Sequence, residues 1–250
     1  MRSRDCAASR TIIRPNVLKV LHSNDLHGHL PQKVAALRPL REEADVYFDT
    51  GDLIRTGNLG IPLGPDPAWP LLAELRCDAS TLGNRETHPL EAAFRMKLAG
   101  AAHPILCANA FRPDGSLAFP GTLEFERAGV KIGVVAGMVP MATERMKTRT
   151  AWSLRWTAPI PAIAAAAQEI RPRVDVLLAL THIGFRHDEA LAQICPELDF
   201  ILGGHSHTVL AEPKDVGGVW IAQGGSHGRY TGLYEWDGRR LRGDIRSLGG

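Results

Sequence analysis

Little in this sequence marks a membrane, disulfide-held or nucleic-acid-binding protein. The 250 residues include only four cysteines, Cys6, Cys77, Cys107 and Cys195, far apart and without a C-x-x-C pair. That spacing excludes a zinc knuckle and a dense disulfide framework, and it leaves reduced thiols. No apolar run approaches the ~18 residues of a membrane span. The opening stretch MRSRDCAASRTIIRPN carries basic residues but no apolar segment of signal-peptide length. Formal net charge is only +2, too little for the basic track that nucleic acid requires. These absences predict a soluble, cytoplasmic chain with no membrane and no nucleic-acid partner.

What is present is a rhythm of short apolar runs, polar loops and helical patterns. The runs VLKVL (17–21), DVYFDT (45–50), KIGVVAG (131–137), VDVLLAL (174–180), DFILGG (199–204) and VWIAQGG (219–225) have the length and flanks of buried strands. Helical patterns fall at 29–43, 67–76, 88–99, 161–171 and 188–194. Alternating strand and helix predicts an α/β fold with largely parallel pairing and helices covering the sheets. In such folds, sites form beyond the C-terminal ends of strands. Two irregular stretches stand out, 55–66 and 138–158. The second mixes Arg145, Lys147, Arg149 and Arg155 with Trp152 and Trp156. It reads either as a substrate-facing flap or as a surface loop with tryptophans tucked beneath it. No linker is evident, so the chain reads as one domain, 1–250, with 1–16 as an irregular arm.

Polar residues cluster immediately after the strands. HSNDLHGH brings Asp25 and His27, GDLIR brings Asp52, GNRETH brings Asn84, THIGF brings His182, and GGHSHT brings His205 and His207. One such strand end would read as a turn or helix cap. Five are hard to explain that way. In an extended chain, residues i and i+2 point to the same side, so Asp25 with His27, and His205 with His207, can each chelate or straddle one centre. Carboxylate and imidazole without thiolate suit Mn, Fe, Co or Zn ions. Seven ligands exceed the need of one catalytic ion with an open position. They fit two ions about 3.5–4 Å apart that share a carboxylate.

The ordered set DLH, GDLIR, GNRE, TH and GHSH resembles the signature of the calcineurin-like metallophosphoesterases. The wording LHSNDLHGHL, DTGDLIRTG and CDASTLGN is closest to the catalytic domain of the 5′-nucleotidase branch. The resemblance covers roughly residues 17–236. It implies two stacked mixed β-sheets flanked by helices, a four-layer sandwich with the dimetal site at the strand ends. It implies one divalent ion on Asp25, His27, Asp52 and His207, and a second on Asp52, Asn84, His182 and His205, with Asp52 bridging. Mn is the favoured metal, with Fe, Zn, Co and Ni as alternatives. The expected reaction is hydrolysis of a small phosphate mono- or diester, nucleotide-like esters among the candidates, by a hydroxide held between the ions.

This sequence departs from the family at one position: Arg85 follows Asn84 where the family has histidine. Arginine stays charged and is a poor general acid. It reads as a clamp on phosphate oxygens or as a partner of a neighbouring acid such as Glu86, and the two are compatible. Another histidine then has to serve the leaving group, with His88 first and His29 or His227 next. Alternatively, the substrate needs no proton there, or the chain is a catalytically weakened metal- and phosphate-binding module. His29, His227 and Arg229 are further candidates for substrate contact. His22, on a strand, and His103 and His187, in or beside loops, read as structural or solvated rather than catalytic. The chain ends at Gly250, so the base-stacking second domain of the nucleotidase branch is not expected.

Overall fold

The computed structural model describes residues 17–249; the arm expected at 1–16, and Cys6, lie outside the described residues. The first half runs β1 (Leu18–Ser23), α1 (Leu30–Glu43), β2 (Val46–Asp49), α2 (Ala68–Glu74), β3 (Ala79–Thr81), α3 (Glu91–Leu98), β4 (Ile105–Leu106), β5 (Ala110–Phe111) and β6 (Thr122–Arg127). The second half runs β7 (Val130–Met138), β8 (Arg155–Trp156), α4 (Pro159–Ile170), β9 (Val176–His182), α5 (Phe185–Ile194), β10 (Phe200–Gly203), β11 (Lys214–Val216), β12 (Val219–Ala222), β13 (Tyr230–Trp236) and β14 (Leu241–Ser247). Among the described residues, no helix is long and apolar enough to cross a membrane.

Two six-stranded sheets stack face to face. One has the order β14-β13-β1-β2-β3-β4 and the other β11-β12-β10-β9-β7-β6. Their centres are parallel, β1 to β2 to β3 and β7 to β9 to β10 to β12. The margins formed by β13, β14, β11 and β6 are antiparallel, whereas edge strand β4 pairs parallel with β3. Largely parallel pairing therefore holds, with antiparallel strands added at three of the four edges. Marginal strands β6 and β14 show no apolar run because they are half-exposed and carry polar residues, as in TLEFER and LRGDIRS. Tight turns join their hairpins: Ala128-Gly129 and Gly238 all have positive φ.

The continuous apolar runs explain the layering. Alternate residues of a strand face opposite sides, so each run feeds two cores. Val20, Phe48, Val134, Leu178 and Leu202 meet between the sheets. Their neighbours Leu21 and Tyr47 pack outward under α1 and α2, with Leu30, Leu37, Trp69 and Leu72. Val135, Leu177, Ala179 and Ile201 pack outward under α4 and α5, with Ile163, Ala167 and Leu191. Strands buried on both faces lose the polar–apolar alternation.

One local expectation changes, and a second narrows to one of its two readings. His187 lies in the first turn of α5, because that helix starts at Phe185 rather than 188; its Nδ1 is 3.0 Å from the Ile183 carbonyl. The stretch 138–158 is a surface loop with tucked tryptophans. Trp152 is buried and meets Trp156 edge-on at 5.4 Å between ring centres, while 143–151 are exposed.

Candidate metal centre

The parallel strands β1, β2, β3, β9 and β10 deliver all seven expected ligands to one place. The backbone there is not extended. Asp25, His27, Asp52, His205 and His207 have φ of 49°, 50°, 53°, 76° and 54°. Left-handed backbone costs an ordinary L-residue roughly 1–2 kcal/mol, and Asp, Asn and His tolerate it best. The same-side rule for i and i+2 therefore does not apply. Asp25 and His27 still meet, whereas His205 and His207 diverge, one toward Asn84 and the other toward Asp25. Glycines let these turns touch. A Cβ on Gly83 would collide with the backbone and carboxylate of Asp52, and one on Gly204 would crowd the Thr50 carbonyl, His182 and Asp25.

Two ligand groups result. In the first, Asp25 Oδ1 lies 3.3 Å from His207 Nε2 and 3.7 Å from His27 Nε2. The two imidazole nitrogens are 3.0 Å apart. Asp25 Oδ1 is buried and has no hydrogen-bond partner. An orphan carboxylate oxygen beside two converging imidazole nitrogens is the donor set of a divalent ion. In the second group, Asn84 Oδ1 lies 3.1 Å from His182 Nε2 and 3.0 Å from His205 Nδ1. His182 Nε2 is 3.6 Å from Asp52 Oδ1. Asp52 joins the groups, since its Oδ2 faces His27 Nε2 at 3.9 Å. The seven residues fit two ions with one shared carboxylate.

A surrounding set of contacts aims these side chains. His182 Nδ1 is 2.7 Å from the Thr50 carbonyl, which leaves Nε2 for the second group. Asp25 Oδ2 accepts from Asn24 Nδ2 at 2.8 Å and from the His205 backbone N–H at 2.9 Å. The Glu86 carboxylate accepts from the backbone N–H groups of Gly83, Asp52, Leu53 and Ile54 at 2.8–3.3 Å, and so pins the GDLI turn to the GNRE turn. Sequence reasoning assigned no such role to Thr50, Asn24 or Glu86. Their only signal was their place inside the motif blocks.

The electrostatics favour cations. Burial alone would raise the Asp25 carboxyl. The adjoining His207 and His27 imidazoles, the charge of His182 and the Asn24 amide overcome it and hold Asp25 well below the usual range. Burial opposes charging of His182, yet Asp52, Asp25, the Thr50 carbonyl and Glu86 hold it above the ordinary value. His207 is raised, chiefly by the adjoining Asp25 carboxylate. His205 is lowered, chiefly by burial and then by His182. The Asp25 carboxylate thus stays ionised and draws positive charge to the centre.

The other candidates divide. Arg85 lies beside the second group. Its backbone N–H donates to Asp52 Oδ1 at 2.7 Å, and its Nη1 donates to the Arg55 carbonyl at 2.9 Å. Among the described residues it makes no salt bridge to Glu86, whose oxygens are occupied by backbone N–H groups. His88 is buried. Its Nδ1 accepts from Leu90 N–H at 2.9 Å, and its Nε2 lies 3.3 Å from the Leu59 carbonyl. No hydrogen bond joins it to the centre, and both ring nitrogens are engaged with backbone, so the structure places His88 as a loop brace. His227 stacks on His27, with ring centres 4.7 Å apart and planes 15° from parallel. His29 is exposed and meets His227 edge-on at 5.4 Å. Arg229 is exposed two residues further on. His22 is buried on β1, 3.1 Å from Thr50 Oγ1, and His103 contacts Ser80 Oγ at 2.8 Å, as expected for structural histidines.

Comparison with known proteins agrees with this geometry. Residues 18–209 match the family described as calcineurin-like phosphoesterase. The uncharacterized metallophosphoesterase YunD of Bacillus subtilis is 28% identical over 87% of this chain and 49% of its own length. An apyrase of Tabanus yao is 27% identical over 79% of this chain and 40% of its own. Protein UshA of Escherichia coli is 24% identical over 89% and 49%. The chain spans about half, or less, of the length of these curated relatives. The sulfate thiohydrolase SoxB of Thermus thermophilus superposes with a TM-score of 0.78 at 17% identity, over 92% of this chain and 56% of that one. The calcineurin-like phosphoesterase YfkN of Bacillus subtilis gives 0.75 at 19%, over 94% and 91%. At such identity, these structures show a shared fold.

Proposed function

The chain belongs to the calcineurin-like phosphoesterase family, and from that premise we propose that it hydrolyses a small phosphate mono- or diester of nucleotide-like chemistry at a dinuclear metal centre. One observation carries the reading. Asp52 turns one carboxylate oxygen to each of two complete ligand groups, and Asp25 Oδ1 is left buried between two imidazoles with no partner of its own. The binding-module alternative is not favoured, because no ligand position of either group has been lost.

Two divalent ions bound there would neutralise phosphate charge and acidify a water molecule near neutral pH. The first would rest on Asp25, His27, Asp52 and His207, the second on Asp52, Asn84, His182 and His205, and manganese suits this oxygen and nitrogen set. The chain's own residues do the rest. Buried Asp25, Asp52 and His182 hold the floor of the site, while exposed His205 and His207 leave its mouth open to substrate. Arg85 is tethered through Nη1 to backbone carbonyls, so its guanidinium is oriented before substrate arrives. It acts as an electrostatic clamp on phosphate oxygens and donates no proton. His227, stacked on His27 of the first group, and His29 beside it would serve the leaving group.

The test is hydrolysis of p-nitrophenyl phosphate and bis-p-nitrophenyl phosphate by metal-stripped protein. Mn²⁺, Fe²⁺, Co²⁺, Ni²⁺, Zn²⁺ and Mg²⁺ are restored singly, with Asp52→Asn as the blank. Metal-dependent turnover absent from the blank is expected, and the preferred ester separates monoesterase from diesterase. Two bound ions without turnover on either ester would sink the proposal.

A further inference from the structure

Lys97, in the last turn of α3, is only 1% exposed. Its ammonium donates to four backbone carbonyls: Arg85 at 2.6 Å, Gly57 at 2.8 Å, Asn58 at 3.0 Å and Thr87 at 3.0 Å. Three N–H groups serve four acceptors, so one is shared. Two of the carbonyls belong to the loop after β2, and two to the loop after β3. Between the same loops, Asn84 Nδ2 donates to Asn58 Oδ1 at 2.8 Å. That bond turns Asn84 Oδ1 inward, to within 3.1 Å of His182 Nε2 and 3.0 Å of His205 Nδ1. The main chain of Lys97 is itself held, since its carbonyl accepts the Trp69 indole N–H at 2.7 Å.

We propose that Lys97 is a positioning residue of the metal centre: its buried ammonium clamps the Asn58 loop to the Asn84–Arg85 loop and thereby fixes the Asn84 carbonyl where the second ion binds. A buried ammonium is costly unless its bonds are satisfied. Among the described residues no side-chain carboxylate bonds to Lys97, so its place is explained by the carbonyls it gathers rather than by an ion pair. Burial pushes it down to about 8, and Glu86 and Asp52 work against that fall. Lys97 touches neither the ligand atoms nor the open mouth, so it acts through Asn58 and Asn84.

The inference rests on Asn84 being a ligand, and metal binding tests it apart from turnover. The full chain is stripped and titrated with Mn²⁺ by calorimetry, with electron paramagnetic resonance reporting coupled ion pairs. Lys97→Met should weaken one of the two sites by about 10- to 100-fold, with the other unchanged and the coupled-pair signal reduced. In p-nitrophenyl phosphate assays, kcat should fall while KM stays within a factor of about three. Asn58→Ala should give the same one-site loss in milder form, and Lys97→Arg should restore part of it. Phe94→Leu, on the same helix, should lower thermal stability and leave both sites intact. A Lys97→Met protein with two parental sites would overturn the proposal. So would parallel loss of both sites matched by Phe94→Leu. Should Lys97→Met not fold, an unaltered second site in Asn58→Ala would overturn it alone. A parent chain that binds no ions would overturn the metal reading as well.

Discussion

Asp25, His27 and His207 come from two strand-end turns, and all three have left-handed backbone. Asn84 and His182 have ordinary backbone and are aimed from outside, by Asn58 and by the Thr50 carbonyl. The first group is thus shaped by torsion within short segments. The second draws on four strand ends, where left-handed Asp52 and His205 are joined by Asn84 and His182, which contacts from other loops hold in place. His207 is 40% exposed and His182 fully buried, and since Asp25 is buried and His205 exposed, each group runs from core to rim. A centre can combine ligands set by local torsion with ligands aimed by the rest of the fold.

The strongest way to break this comparison is to remove what the halves share. Asp52→Asn should weaken both sites and reduce turnover by more than about 100-fold; retention of one site at parental affinity would show that the halves are independent. Next is a matched pair in metal-free protein. His182→Ala opens a cavity and leaves buried polar partners, and should cost about 2–4 kcal/mol. His207→Ala should stay within about 0.5 kcal/mol. Equal shifts in calorimetric melting would erase the distinction between core and rim.

Asp188 sharpens the contrast from beneath the second group. Its Oδ1 accepts from Thr181 Oγ1 at 2.6 Å, next to His182 in the chain, and its Oδ2 is buried without a partner. Burial pushes its carboxyl up to about 8. The unfolded carboxyl titrates near ~3.9. Between those values the unfolded chain has released a proton that the folded chain keeps, so stability falls as pH rises, by up to ~1.4 kcal/mol per pH unit. Asp188→Asn should flatten that slope between about pH 5 and 7 in urea titrations; an unchanged slope would mean that Asp188 is ionised in the fold. The smallest effect concerns the rim. Arg85→His should raise turnover of alkyl phosphates about fivefold more than that of p-nitrophenyl phosphate. Equal gains on both esters would count against a missing proton donor.

Motif order along the chain located the strand ends and brought the seven expected ligands to one place. That was legible because each motif follows an apolar run, and parallel strands put their C-terminal ends on one side. The marginal strands were not legible, because half-exposed residues such as those of 122–127 and 241–247 show no apolar run. His88 looked available because it shares a loop with Arg85. Its two backbone bonds depend on Leu90 and on distant Leu59, which no spacing rule brings together. Lys97 was passed over because a lysine in a helical pattern reads as a solvated face until its neighbours are known.

The torsions of the centre also set a vocabulary for redesign. At positions 25, 27, 52, 205 and 207 the backbone itself selects among residue types, favouring Asp, Asn, His and Gly. Cysteine or glutamate there would meet a conformational penalty in addition to any change in ligand chemistry. Conversion to a thiolate site for softer metals therefore has to begin by rebuilding the turns. Exchanges among Asp, Asn and His can tune charge and metal preference within the existing turns.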